Sequence, residues 1–324
     1  MELIRMITPA NSIAAVLLLA PFLTAAFFPQ WLSTRTRSWP VWVQWLCPAA
    51  LSVPYAMVSS AAQAFHWTWF ALYALLPVAV AILLAQAGRI DPGNSPHQPG
   101  PVAGDPGIPP QHSKPVSAGL GQRGNWRDFL VLAALGLAVD LRWFEGAWPA
   151  HLAIFNKMLL LDAGIYGFIA MRQLDGTGFD LRLRLRDLVI GLRELACYTP
   201  IALALGLGLG FLHLHAQWPG MAPIAGAWLF TFFFIAVPEE LFFRGWLQNL
   251  LERRMGRFPA LLLTAVLFGL SHFNKRAAFF NWRYVLLAAV AGFFYGRAWR
   301  QERRVGASAI THASVDAIWS LWLR

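Results

Sequence analysis

Apolar residues in this chain come in long runs separated by short polar connections, without the alternation of a half-buried strand. The runs lie near 8–28, 41–60, 66–87, 128–147, 150–171, 187–212, 221–249, 258–275, 282–299 and 306–323. A helix needs about 20 mostly apolar residues to cross ~30 Å of hydrocarbon. The pattern predicts an all-α polytopic membrane protein of about 8–10 transmembrane helices, with a core formed by the last four. The runs 128–147 and 150–171 are interrupted by Asp140, Lys157 and Asp162, which read as an interhelical ion-pair set. The first run follows a weakly charged start. Because many apolar runs come after it, it reads as a first span and not a cleaved leader.

One stretch breaks the pattern. Residues 88–125 are dense in Pro, Gly and Ser and have almost no apolar periodicity, the mark of a flexible linker in water. Its His97 and His112 read as solvated. The chain divides into an N-terminal unit of about three helices (1–87), the linker (88–127) and a C-terminal unit (128–324) whose core covers about 190–320. "LGLGLGF" (205–211) lacks the strand, helix start and acidic residue of a dinucleotide site, and reads as small residues that let helices approach. "FDLRLRLRD" (179–187) alternates like a strand but is more simply a basic segment at the membrane surface.

Composition agrees with the membrane reading. Of 324 residues 57% are hydrophobic and 13% charged, against about 25% charged in soluble domains; mean hydropathy is +0.50. The net charge of +10 would suit nucleic acid, but the arginines sit in short loops beside apolar runs, which is a topology signal and excludes a nucleic-acid partner. "TRTRS" (34–38), 172–186, "ERRMGR" (252–257) and "RAWRQERR" (297–304) share one side with the linker, and that side is cytoplasmic by the positive-inside rule. "NKRAAFFNWR" (274–283) is the one basic loop left outside. Cys47 and Cys197 have no metal-site spacing and read as buried free thiols. His213 and His215, in an outer loop, read as solvated.

Chemistry concentrates late in the chain. "FFFIAVPEELFFRGW" (232–246) places Glu239, Glu240 and Arg244 among phenylalanines. Residues four apart share a helix face, so Glu240 and Arg244 pair within the helix and Glu239 points elsewhere. Pro238 removes a backbone donor beside it. Ionisable residues inside a span usually face a cavity and mark function. "FGLSH" sets Phe268 and His272 four apart, and "HASVD" sets His312 and Asp316 four apart. Counted from the presumed cytoplasmic ends, Glu239, His272 and His312 lie roughly 15, 20 and 10 Å deep. They can meet at one level, in a pocket open to the cytoplasm, and activate water there. Arg193 and Glu194 serve the substrate path or helix pairing.

These three motifs resemble those of the CAAX-processing and bacteriocin-processing protease family, also called CPBP or Abi, whose pattern reads EExxxR, FxxxH and Hxxx followed by Asn or Asp. The likeness covers about 190–320 and none of the first 125 residues. It implies an intramembrane endopeptidase in which Glu239 is the general base, His272 and His312 hold the water or stabilise the oxyanion, and Asp316 takes the final position. Glu240, Arg244 and Phe268 would support them. HExxH is absent, and a glutamate-dependent mechanism with no cofactor is favoured; a zinc ion held by His272, His312 and Glu239 is the alternative. The substrate implied is a membrane-anchored protein or peptide, in a bacterial inner membrane. A proton-coupled transporter and a non-catalytic scaffold or immunity protein are the competing functions.

Overall fold

A computed structural model describes residues 8–91, 122–144, 146–149, 152–215, 217–275 and 280–323. Most of the linker, with His97 and His112, lies outside the described residues. Among those described, every regular element is a helix. In chain order these are α1 Pro9–Phe27, α2 Pro29–Arg37, α3 Val41–Ala61, α4 Trp67–Ile90, α5 Trp126–Asp140, α6 Ala153–Met171, α7 Leu185–Gly208, α8 Met221–Met255, α9 Arg257–Leu270, α10 Trp282–Glu302 and α11 Val305–Trp322. The protein is an all-α polytopic membrane protein.

Each apolar run is helical, but the runs are not equal. Among the described residues six helices, α1, α3, α4, α6, α7 and α8, are long and apolar enough to cross a membrane. α5 and α9 have 15 and 14 residues, which is about 21–23 Å at 1.5 Å per residue and short of the hydrocarbon thickness. α10 and α11 are long enough but more polar, because they line the interior. Outward faces stay apolar, as at Val16, Leu75 and Leu185, while Glu240, Arg244, Gln248 and Asn249 are fully buried.

Two groups of helices pack around different centres. α1, α3, α4 and α6 form one, and α7 to α11 form the other, with α5 between α4, α6 and α8. Close approach within the second group depends on small residues. A Cβ on Gly269 of α9 would stand 2.5 Å from the Val285 carbonyl of α10. Trp246 of α8 stacks on Phe168 of α6, centroids 4.9 Å apart, and joins the groups.

Buried arginines tie the connections together at one end of the molecule. Arg172 contacts Asp91 and Asp128, each at 2.8 Å, so the two ends of the linker are held side by side; the backbone N–H groups of Arg123 and Gly124 also donate to the Asp91 carboxylate. Arg304 holds Asp187 at 2.9 Å and Asp180 at 3.1 Å. The Val305 N–H donates to the Gly178 carbonyl, and Leu181 N–H donates to Ala26 at the end of α1. At the opposite end, Asn274 donates to the Asp140 carbonyl at 2.7 Å, and the His213 and His215 N–H groups bond the carbonyls of Leu323 and Trp322.

Several sequence readings need correction. Asp140, Lys157 and Asp162 form no ion pair within 4 Å among the described residues: Asp162 is buried with neither oxygen hydrogen-bonded, and the other two line a cavity. The thiols are free, but Cys197 is exposed and Cys47 half-buried, with the Cys47 S–H donating to the Tyr166 hydroxyl. Their runs face outward, where lipid replaces a protein core. The glycines of 205–211 do not let helices approach. Phe211 N–H bonds to the Gly206 carbonyl, Gly210 N–H to Leu207, and Gly210 has φ +61°, the hydrogen-bond pattern of a Schellman stop. Glu194 settles as a helix pair: it meets Arg297 of α10 at 3.3 Å and its neighbour Arg193 at 2.8 Å.

Candidate active site

α8 is not a regular helix where it carries the acids. Phe232–Ala236 and Leu241–Gln248 are wide π-type turns on either side of Val237–Glu240. Such turns are frequent at functional sites. Pro238 sits between them and cannot donate, so the regular ladder could not have continued through it.

Glu240 and Arg244 pair as four-apart residues should, with Nε 3.1 Å from Oε2 and both side chains fully buried. The contact is a charge pair without hydrogen-bond alignment, since neither atom meets the angular requirement. Arg244 is fixed instead by an Nη2 donation to the Gly292 carbonyl at 2.8 Å and by the faces of Phe268 and Tyr295, 4.7 and 5.5 Å away.

His312 of α11 reaches this pair. Its Nδ1–H donates to Glu240 Oε1 at 2.9 Å, which leaves Nε2 facing Asp316 Oδ2 at 3.5 Å and Glu239 Oε2 at 3.9 Å. His272 stands just past the end of α9. Its Nδ1–H donates to the Phe268 carbonyl at 2.9 Å, so its Nε2 is the nitrogen left for a ligand. Phe268 lies between the imidazoles, with centroids 5.0 Å from His272 and 5.6 Å from His312. Glu239 lies within electrostatic reach of His312, His272, Lys275 and Lys157.

The site forms a wall between two cavities. Glu239 and Ser271 border a large one of about 780 Å³, shared with Asp140, Lys157 and Lys275. His272, His312 and Asp316 border a smaller one of about 90 Å³ between α7, α10 and α11. Of the predicted residues, Glu239, Glu240, His312 and Asp316 stand together around one imidazole, with Arg244 and Phe268 packed behind. His272 joins through Phe268.

Two participants escaped sequence reasoning. Tyr295 of α10 stacks on His312 at 4.6 Å and 15°, and Tyr284 packs edge-on against His272 at 4.9 Å. Both are single aromatics in an aromatic-rich segment, and no spacing pattern marks them.

In the zinc alternative the ion would be held by Glu239 and the Nε2 atoms of His272 and His312. Among the described residues no three His, Cys, Asp or Glu side chains are grouped as a metal requires. His312 Nδ1 is held by Glu240 and His272 Nδ1 by the Phe268 carbonyl, so Nε2 is the nitrogen that each ring would offer such an ion.

Comparison with known proteins follows the geometry. No curated protein and no solved structure matches the chain. Residues 221–318 match the family model described as type II CAAX prenyl endopeptidase Rce1-like, a segment that holds all three motifs. From α8 to α11 the chain is thus similar to the CAAX-processing protease family that its motifs resemble.

Proposed function

We propose that the protein is an intramembrane endopeptidase that hydrolyses a peptide bond of a membrane-associated protein or peptide with water activated by Glu239. The observation that carries this reading is the placement of Glu239 Oε2 3.9 Å from His312 Nε2, at the edge of a cavity of about 780 Å³. A gap of that length, with a carboxylate on one side and an imidazole on the other, leaves room for water to bridge. Glu239 takes the proton as the water attacks the carbonyl carbon, and later returns it to the leaving amine. With the ring proton on Nδ1, His312 Nε2 and His272 Nε2 accept from the water; a ring that is also protonated at Nε2 donates to the oxyanion. Glu240 fixes the His312 tautomer, as the carboxylate behind a catalytic histidine does, and Arg244 balances Glu240. The family match supports a protease. No step needs a cofactor.

A transporter would need a route to both ends of the bundle. Trp246, stacked on Phe168 and packed against Gly164, lines the large cavity on the side toward the arginine-rich end. The test compares protein termini in membranes carrying wild-type or Glu239→Gln protein. A new terminus present only with wild type supports hydrolysis. Identical termini, with both proteins inserted equally, reject it.

A further inference from the structure

The two cavities share an orientation. The large one is rimmed by Arg142, Phe144 and Trp148 of the α5–α6 connection and by Asn274 and Lys275 after α9. The small one runs from Leu323, Phe211 and Leu212 inward to Tyr295 and His312. All of these rim segments belong to the end where Asn274 bonds Asp140 and where the α7–α8 connection bonds the C-terminal residues. Among the described residues, none from the 172–184 connection, the α8–α9 turn or the α10–α11 turn lines either cavity.

The two ends differ in charge. Among the described residues Arg35, Arg37, Arg182, Arg184, Arg254 and Arg300 belong to the closed end, against Arg142, Lys275 and Arg283 at the open one. Positive charge in short loops marks the cytoplasmic side. The closed end also buries ion pairs at Arg172 and Arg304, and Trp246 lines the large cavity on that side.

We infer that the candidate site is served from the arginine-poor face, away from the cytoplasm, so that its substrate is a peptide segment presented to the membrane from the non-cytoplasmic side. This rests on the protease reading for the word substrate, and it replaces the cytoplasmic opening that depth alone suggested. The sidedness stands without turnover. Water reaches Glu239 through the mouth formed by the α5–α6 connection, and cleaved fragments leave by the same way.

The test uses single-cysteine proteins with Cys47→Ser and Cys197→Ser in the background. Ala153→Cys probes the mouth of the large cavity, where Ala153 is exposed. Arg186→Cys probes the opposite end, where the Arg186 side chain is 74% exposed. A membrane-impermeant maleimide is added to sealed vesicles of known sidedness. The expected result is labelling of Ala153→Cys from the non-cytoplasmic side in intact vesicles, and of Arg186→Cys from that side only after permeabilisation. The same pattern is expected in Glu239→Gln protein, which separates sidedness from hydrolysis. Labelling of Ala153→Cys from the cytoplasmic side alone, its absence even in detergent, or labelling of Arg186→Cys from the non-cytoplasmic side of intact vesicles overturns the inference.

Discussion

His312 joins two neighbouring glutamates of one helix: Nδ1 lies 2.9 Å from Glu240 Oε1 and Nε2 3.9 Å from Glu239 Oε2. The two acids are therefore unequal. Glu239→Gln removes the base and should lower turnover about 10²–10⁴-fold with little change in thermal stability. Glu240→Gln should lower both, because it leaves Arg244 buried without its counter-charge, a loss of about 3–5 kcal/mol. Cleavage rates and melting temperatures of both variants in detergent decide this; equal stability loss would contradict the assignment.

Tyr295 acts on His312 through its ring, since the two stack at 4.6 Å. Such a stack contributes about 0.5–1.5 kcal/mol. Tyr295→Phe keeps the ring and should retain near wild-type kcat. Tyr295→Leu should lower kcat several-fold and leave KM nearly unchanged. A large loss in the Phe variant would show that the hydroxyl matters instead.

Gly178 has φ +68°, and a Cβ there would stand 1.9 Å from the Arg303 carbonyl oxygen. Gly178→Ala therefore forces the 172–184 connection away from the turn before α11. Strained backbone of this kind costs on the order of 1–3 kcal/mol. The melting temperature should fall, and turnover with it, because α11 carries His312.

Arg304 binds two carboxylates outside the bilayer core, and Asp180 responds to it. Burial pushes the Asp180 carboxyl up, but the Arg182 N–H and the Arg304 guanidinium outweigh burial and hold it below its ordinary value of 3.8. A lowered native value gives stability that is fully present above the unfolded value and is lost as pH falls through the native one. Wild-type protein should thus lose stability at Asp180 only below about pH 4. Arg304→Gln should be destabilised at neutral pH by about 3–5 kcal/mol, because Asp187 is left buried. Thermal melts across pH check both statements.

Hydrophobic runs marked all the long helices, and four-apart spacing found the Glu240–Arg244 pair and the two histidine faces. What the sequence concealed has physical causes. α5 and α9 run between the two ends with only 15 and 14 helical residues, and an apolar run does not reveal how much of it is wound as helix. Gly206 and Gly210 look like packing residues until the backbone turns at Gly210. Asp140 and Lys157 look like a locked pair, yet they face open volume beside Glu239. Tyr284 and Tyr295 meet the imidazoles through ring contacts, for which no spacing rule exists.

The widened turns of α8 have a wider meaning. Each holds a surplus residue relative to ordinary winding, so the four residues between them, Val237–Glu240, stand at a different helical phase from the one that regular winding would give. Sliding a bulge by a residue would re-aim the acid while both ends of the helix stay fixed. The direction of the two carboxylates is thus set by where the surplus residues sit, as well as by the tilt of the helix.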